Sequence, residues 1–278
     1  ADPRIQHALT LEIDDYGNVL KQAAVGYGRR TQIRVVNQLG NIQQVPNSGL
    51  VVLNATDQVR QITPLLTFTE NRVTNAIKSP DSHRNPLPCE AITFELTGYA
   101  PTGPAGRFQA LDLVEPDLAA PGLLRHKFTA PEVAYEATAT GNQRRRPIEW
   151  LRTLYRRDDL NGLLALGELH SLALPGESYK LAFTPGLLDQ VFQRPRQGQA
   201  AEPLLPDPTA VLGGQAGNRG GYLRSQTMKA DGRFPASDAD DYWWIPSGQS
   251  FFSTNPVDNA ATELAQARQH FFLPRRYS

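Results

Sequence analysis

RPIEWLRTLYRRDDLNGLLALGELHSLALPGESYKLAFTPGLLDQVFQ, residues 146–193, is the densest run of strand patterning, turn chemistry and apolar mass in the chain. Within it, Tyr179, Leu181 and Phe183 alternate with Ser178, Lys180, Ala182 and Thr184, the period of two that marks a strand with one buried face. Pro175 and Gly176 stand directly before this run. Proline sets φ for the second position of a type II turn and glycine accepts the positive φ of the third, so the sequence predicts that residues 168–174 fold back on 178–184 as a hairpin. Upstream, residues 148–155 are rich in aromatic and branched side chains on both parities, which suits a strand packed on both faces and makes three strands in all. Thr184-Pro185 offers a cap and a first-turn proline, and Leu187, Leu188, Val191 and Phe192 recur at helical spacing, so a short helix over 185–192 closes the unit.

Toward the N-terminus the same alternation returns. Leu9, Leu11 and Ile13 alternate with Thr10, Glu12 and Asp14; Asp15, Tyr16, Gly17 and Asn18 supply turn residues; Val19, Lys21, Ala23, Val25 and Tyr27 resume the period, giving a second hairpin. Apolar islands at 33–36 and 50–53 predict two further strands, and 65–70 and 92–97 two more. A proline-broken loop between the last two carries His83 and Cys89, but no third residue at a defined spacing orients them as a thiol nucleophile needs. Residues 100–131 read as irregular structure packed on a sheet around 108–114, and 133–140 as a strand leading into Arg144, Arg145 and Arg146. With Arg152, Arg156 and Arg157 these form a basic cluster. Glu149, Asp158 and Asp159 are near enough to neutralise it, which points to an ion-paired or solvated sheet edge rather than a nucleic-acid groove.

Toward the C-terminus, 194–208 reads as an exposed connection, and the glycine-rich run 213–221 as a flexible loop, since its spacing fits neither a Walker loop nor a dinucleotide fingerprint. The Gly26-Tyr27-Gly28-Arg29-Arg30 stretch likewise lacks the third glycine or Lys-Ser/Thr of a phosphate loop and reads as a strand end with solvated arginines. The acidic run 231–241 lacks the ligand spacing of a calcium loop. Tyr242, Trp243 and Trp244 begin a strand, turn and strand that ends at 252; paired indoles either anchor a core or stack on sugar rings. Residues 259–270 predict the best helix in the chain, and 271–273 a return to strand.

Composition sets the outer bounds. A chain of 278 residues can bury a sizeable core as one large β domain or two ordinary ones. Lys plus Arg and Asp plus Glu are both 28, so no global field gathers nucleic acid or an anionic membrane. One cysteine excludes an intrachain disulfide and a multi-cysteine metal site, and the five histidines show no metal-ligand spacing, so no metal or cofactor is expected. No apolar run approaches the roughly 20 residues of a spanning helix, and the start lacks the layout of a signal peptide. Beginning at Ala-Asp-Pro and ending at Arg-Arg-Tyr-Ser, the chain reads as a piece of a longer protein.

Five blocks carry a resemblance: LTLEIDDYGNVLKQAAVGYGRR at 9–30, LTFTENRVTNAI at 66–77, RTLYRRDDLNGLLALGELHSLALPGESYKLAFTPGLL at 152–188, WWIPSG at 243–248 and ARQHFFLPRRY at 267–277. In this order they closely resemble the middle to C-terminal region of the B component of tripartite insecticidal toxin complexes, the TcdB type. The resemblance is weak over 31–61, 194–205 and 224–239. It implies an extended, curved Rhs-like sheet of antiparallel hairpins with a few short helices and long irregular loops. It also implies a division into an N-terminal β-rich part at 1–140 and a hairpin part with short helices at 141–278. Asp15-Tyr16-Gly17-Asn18 resembles a degenerate YD-type repeat, a strand–turn–strand unit that stacks edge to edge. The implied role is structural and not enzymatic: part of the wall of a shell that the B component forms with the C component around its effector, joined indirectly to the pore-forming A component. The implied location is secreted, within a toxin complex assembled in the bacterial cytoplasm, without nucleic acid and without direct membrane insertion. No catalytic residue transfers.

Two other readings compete with the wall. One is a carbohydrate-binding β module built on Tyr242, Trp243 and Trp244. The other is a glycoside hydrolase using two of Asp158, Asp159, Glu168 and Glu177, which requires carboxyl groups about 5 to 9.5 Å apart across a cleft.

Overall fold

The computed structural model describes residues 4–138, 141–213 and 220–278. Eight strands form one sheet in the order Gln6–Ile13, Val19–Gly26, Leu65–Val73, Pro88–Thr97, Arg144–Tyr155, Pro175–Phe183, Trp243–Pro246 and Leu223–Arg224. Every neighbouring pair is antiparallel. The chain is therefore mainly β, as its period-two segments predict, and the sheet does not close into a barrel. It runs without a break across the 140/141 division.

Alternation along the strands gives the sheet two unlike faces. Ala23, Phe68 and Phe94 share one register row and lie buried with Val25, Leu66 and Leu96 beneath Phe108, Leu113 and Phe128 from the covering segment. Phe68 packs against Phe128 at 5.2 Å and against Phe94 at 6.3 Å between centroids. Farther along, Leu154, Tyr179, Leu181 and Trp244 bury against Met228 and Phe234. Steric alternation puts the neighbouring residues on the other face. There Gln22, Thr69, Thr93 and Glu149 form one row, the Thr69 and Thr93 hydroxyls lie 3.0 Å apart, Thr153 meets Ser178 at 3.1 Å, and Lys180 pairs with Glu149 at 2.6 Å. One face is a covered core and the other is a polar, hydrogen-bonded surface.

The N-terminal hairpin turns where the sequence places it. Asp14 Oδ1 accepts from the backbone N–H of Tyr16 at 2.9 Å and of Asn18 at 2.8 Å, and Gly17 takes φ of +83°. Both expected helices form. Pro185–Val191 is capped by Thr184, which accepts from Leu187 N–H at 3.2 Å, and Ala260–Gln269 by Asn259, which accepts from Thr262 N–H at 2.9 Å.

Several expectations need correction. Residues 168–174 are not a strand. Pro175 and Gly176 lie inside the Pro175–Phe183 strand, Pro175 opposite Tyr155, and Gly176 is absent from the glycines of positive φ. The hairpin therefore joins the Arg144–Tyr155 and Pro175–Phe183 strands through a long connection, in which Leu160, Gly162, Gly167 and Ala173 adopt positive φ and keep the chain turning. What selects glycine at 176 is space: a Cβ there would stand 2.3 Å from the Leu154 carbonyl oxygen and 2.6 Å from Leu163 Cδ2. Residues 50 and 51 belong to a short helix, Ser48–Val51, which Asn47 caps by accepting from Gly49 N–H, and 52–53 turn away from it. Residues 133–138 form a turn beyond a single bridge at Glu132, and 139–140 lie outside the described residues. Phe271 and Phe272 turn at positive φ instead of forming a strand; Arg276–Tyr277 makes the pairing, with Ser250–Phe251. The connection at 194–208 contains an exposed hairpin, Gln193–Arg196 with Gln199–Pro203. Ala55–Ile62, Ala110–Leu113, Pro208–Leu212 and Ser225–Ala230 are short helices the sequence reading missed. Most of the glycine-rich run, 214–219, lies outside the described residues.

Candidate functional site

The sequence proposes three sites, and the structure disperses two and buries the third. Cys89 is 1% exposed, and burial pushes its thiol up to about 11, while His83 lies exposed on the separate Ser82–Arg84 strand. A thiol so raised stays protonated and unreactive near neutral pH. Of the four carboxylates, Asp158 accepts from Leu172 N–H at 3.0 Å, Asp159 accepts from Asn161 N–H at 2.9 Å and pairs with Arg157, and Glu177 receives the Tyr179 hydroxyl. Glu168 lines an open cleft with Asn75, Leu169 and His170, in which none of the other three carboxylates takes part. His170 Nδ1 instead accepts from the Asp158 N–H at 3.4 Å.

The aromatic run goes inward. Trp243 is 3% exposed among Phe183, Leu188 and Leu212, and Trp244 is fully buried with its indole N–H donated to Ser225 Oγ at 2.8 Å. Tyr242 is half-buried, edge-on to Trp150 at 6.2 Å. Both tryptophans are thereby withheld from solvent, and no flat indole platform is presented.

What Trp244 encloses is a centre that the sequence reading placed at a sheet edge. Arg152 lies on an interior strand with its side chain 2% exposed. Its Nε donates to Glu90 Oε1 at 2.7 Å, and its terminal nitrogens donate to both oxygens of Asp238. The guanidinium carbon lies 4.4 Å from the Phe234 ring centre, 4.7 Å from Trp244 and 4.8 Å from Trp150. Glu90 also receives Trp150 Nε1 at 2.8 Å and Arg72 at 2.9 Å. Burial by itself would raise the Glu90 carboxyl; Arg152, the Trp150 N–H and Arg72 outweigh it and hold the group below its usual value. A second buried pair repeats the device. Both terminal nitrogens of Arg156 meet the Glu263 carboxylate at 3.0 Å, and Glu263 also accepts from Phe252 N–H at 2.9 Å. The same opposition of burial and pairing holds Glu263 below its usual value.

These centres join distant segments: Glu90, Arg152 and Asp238 come from three parts of the chain. A signal existed in the parity of the strand, since Arg152 and Arg156 share the alternation of Trp150 and Leu154. An arginine on an inward-facing parity requires a buried carboxylate. Three of the four remaining arginines of the cluster also pair, Arg145 with Glu70 and Glu132, Arg146 with Glu95 and Arg157 with Asp159, while Arg144 donates to the Gln143 carbonyl. Among the described residues no group of three or more His, Cys, Asp or Glu is arranged to hold a metal ion, the acidic run 231–241 included. No helix among them is long and apolar enough to cross a membrane.

The comparisons with known proteins bear on the N-terminal segment and on the fold. Residues 1–85 match the family described as "Insecticide toxin TcdB middle/C-terminal region". The match covers the first 85 of the chain's 278 residues. The match includes the 9–30 and 66–77 blocks; for 152–188, 243–248 and 267–277 the likeness to TcdB is one of fold. Two solved structures, "Crystal Structure of TcdB2-TccC3" and the same complex "without hypervariable C-terminal region", superpose over 100% of this chain with TM-scores of 0.52 and 0.53 at 17% identity. The chain spans 10% of the length of the solved chains it matches. None of the curated proteins matches it.

Proposed function

We propose that this chain is a structural, non-enzymatic segment of an insecticidal toxin complex B component, forming part of the sheet wall that encloses the C component's effector before translocation. The observation that carries the reading is the sheet itself. Its Gln6–Ile13 edge is an eight-residue strand with one paired side, its opposite edge is only two residues long, and its uncovered face is polar and hydrogen-bonded. A strand edge of this kind is a template for the next strand. A wall around cargo works by keeping its backbone hydrogen bonds closed and its lining unreactive, and the raised Cys89 thiol and locally engaged carboxylates suit that task.

On this reading the two parts, 1–140 and 141–278, are stretches of one wall. The Asp15-Tyr16-Gly17-Asn18 turn is a degenerate YD-type repeat, and the partners are the rest of the B component and, following the TcdB2-TccC3 likeness, an Rhs-type C component, with the A component reached indirectly. The setting is a secreted toxin complex, and neither cofactor nor nucleic acid takes part.

The test is made in the parent protein. Deleting residues 168–184 removes an interior strand and is expected to abolish assembly with the C component and toxin delivery. Alanine at Glu168, Glu177, His170 or Cys89, in variants that remain folded, is expected to preserve both. A folded alanine variant that assembles normally but no longer delivers toxin would overturn the structural reading.

A further inference from the structure

Strands Val19–Gly26 and Leu65–Val73 pair directly, so residues 27–64 are an insertion between two hydrogen-bonded neighbours. The insertion holds the hairpin of Gln32–Val36 with Ile42–Pro46 and the helices Ser48–Val51 and Ala55–Ile62. Its charges are Arg29, Arg30, Arg34 and Arg60 against Asp57 alone, a net of 4 − 1 = +3 within a chain whose net charge is 0. It is also poorly covered. Val36, Leu39, Ile42, Val51, Val52 and Val59 are between 59% and 84% exposed. Six large apolar side chains left this exposed on a basic element point to a partner that covers some of them.

At the root of the insertion lies a cleft of about 320 Å³. Arg29 and Arg30 line it from the insertion, and Arg107 lines it from a turn some 77 residues on, where Ala105 and Gly106 adopt φ of +57° and +66°. Among the described residues no carboxylate lines it. Arg30 and Arg107 form no ion pair among the described residues, unlike Arg145, Arg146, Arg152 and Arg156. Ile5, Ile62 and Pro64 give the lining an apolar part, and Val59 precedes Ile62 by one turn on the same helix. The cleft is held by backbone: a Cβ at Gly28 would overlap the Ile62 carbonyl at 2.1 Å.

We propose that this cleft and its aliphatic rim dock an acidic polypeptide segment, its carboxylates on Arg30 and Arg107 and its apolar side chains on Ile62, Val59 and their neighbours. Guanidinium forks match carboxylates bidentately, and opposite charge selects the partner and speeds its encounter. The volume is at the small end for a ligand site, which fits a pair of side chains rather than a cofactor. A nucleic acid is disfavoured because bases stack on aromatic faces. The aromatic ring in the cleft, Tyr27, is already edge-on to His7, with its hydroxyl engaged by His7 and by Phe108 N–H. This inference is separate from the wall reading, and its test uses the chain alone.

The test is fluorescence anisotropy of a labelled peptide of alternating Glu and Leu, with the Lys-for-Glu peptide as control and inorganic pyrophosphate as competitor. The Glu peptide is expected to bind saturably and to weaken about tenfold with Arg30→Glu/Arg107→Glu and similarly in high salt, while Arg268→Glu, on a distant helix, changes affinity less than about twofold. Circular dichroism verifies the fold of the double variant; if it is lost, Arg30→Gln/Arg107→Gln removes the charges without reversing them and is expected to weaken binding in the same direction. Absence of saturable binding, equal binding of the Lys peptide, or unchanged binding by the folded double variant overturns the proposal. Displacement by pyrophosphate at equal concentration also overturns it, by showing a site for small anions in general.

Discussion

Replacing Arg152 by Met is expected to be the most damaging conservative change in the sheet. The substitution keeps much of the side-chain volume among Trp150, Phe234 and Trp244 but removes the charge between two carboxylates. Glu90 and Asp238 are 4% and 10% exposed at their side chains, so solvent offers little relief. Glu90 keeps Arg72 and Trp150, whereas Asp238 loses its ion pair. Breaking a buried pair by deleting one partner costs about 3–5 kcal/mol. In a domain of this size that lowers Tm by roughly 6–20 °C, at about 2–4 °C per kcal/mol. The pH dependence has a definite sign. Glu90 is held below its ordinary value of 4.5, so its contribution is full above that value and is lost as pH falls through the lower, folded one. The gap between the two proteins is therefore expected to be widest near neutral pH and to narrow under acid. Removing all three charges at once, in Glu90→Gln/Arg152→Met/Asp238→Asn, is expected to cost less than Arg152→Met alone, because no uncompensated charge stays buried. Urea unfolding at neutral and acid pH reads each quantity from the midpoint. A loss below about 1 kcal/mol for Arg152→Met at neutral pH would refute the reasoning, since that is the scale of an exposed pair.

Gly176→Val should destabilise by about 1–3 kcal/mol through overpacking against Leu154 and Leu163, and Gly176→Ala in the same direction; a thermal melt equal to the parent would show that the neighbouring strand yields freely. Neutral quenchers such as acrylamide should reach the tryptophans poorly, and a glycan panel should leave the emission unchanged, because Trp243 and Trp244 are in the core; strong quenching relieved by a sugar would restore the binding-module reading. Cys89 should resist alkylation at neutral pH and react once urea unfolds the chain, as expected for a buried thiol pushed up to about 11; rapid labelling of the native protein would contradict that environment.

Local chemistry made much of the fold legible. Alternation at Leu9, Leu11 and Ile13, at Ile92, Phe94 and Leu96, and at Tyr179 and Leu181 gives strands in the structure because a pleated chain exposes one parity to the core wherever the sheet is covered on one face. Thr184-Pro185 and Asn259 start helices because a cap depends on residues within one turn. The same short range explains the errors. Pro175-Gly176 is turn chemistry by any local rule, yet Gly176 is needed for the approach of Leu154, a contact that becomes visible only after the strands pair. Residues 50–53 are apolar enough for a strand, but Asn47 caps a short helix that takes in Leu50 and Val51, and the chain turns at 52–53.

The candidate sites divide along the same line. By itself, the sequence determined the strand-rich class, the Gly17 turn, the two capped helices and the family resemblance that residues 1–85 bear out. Only the tertiary structure decided that Trp243 and Trp244 face the core, that Cys89 is sealed from His83, and that Arg152 is clasped by Glu90, 62 residues before it, and Asp238, 86 residues after it. Periodicity and caps act within a few residues and are written in neighbouring letters. Burial and charge pairing depend on which distant segments the sheet brings together, and no local pattern fixes that distance.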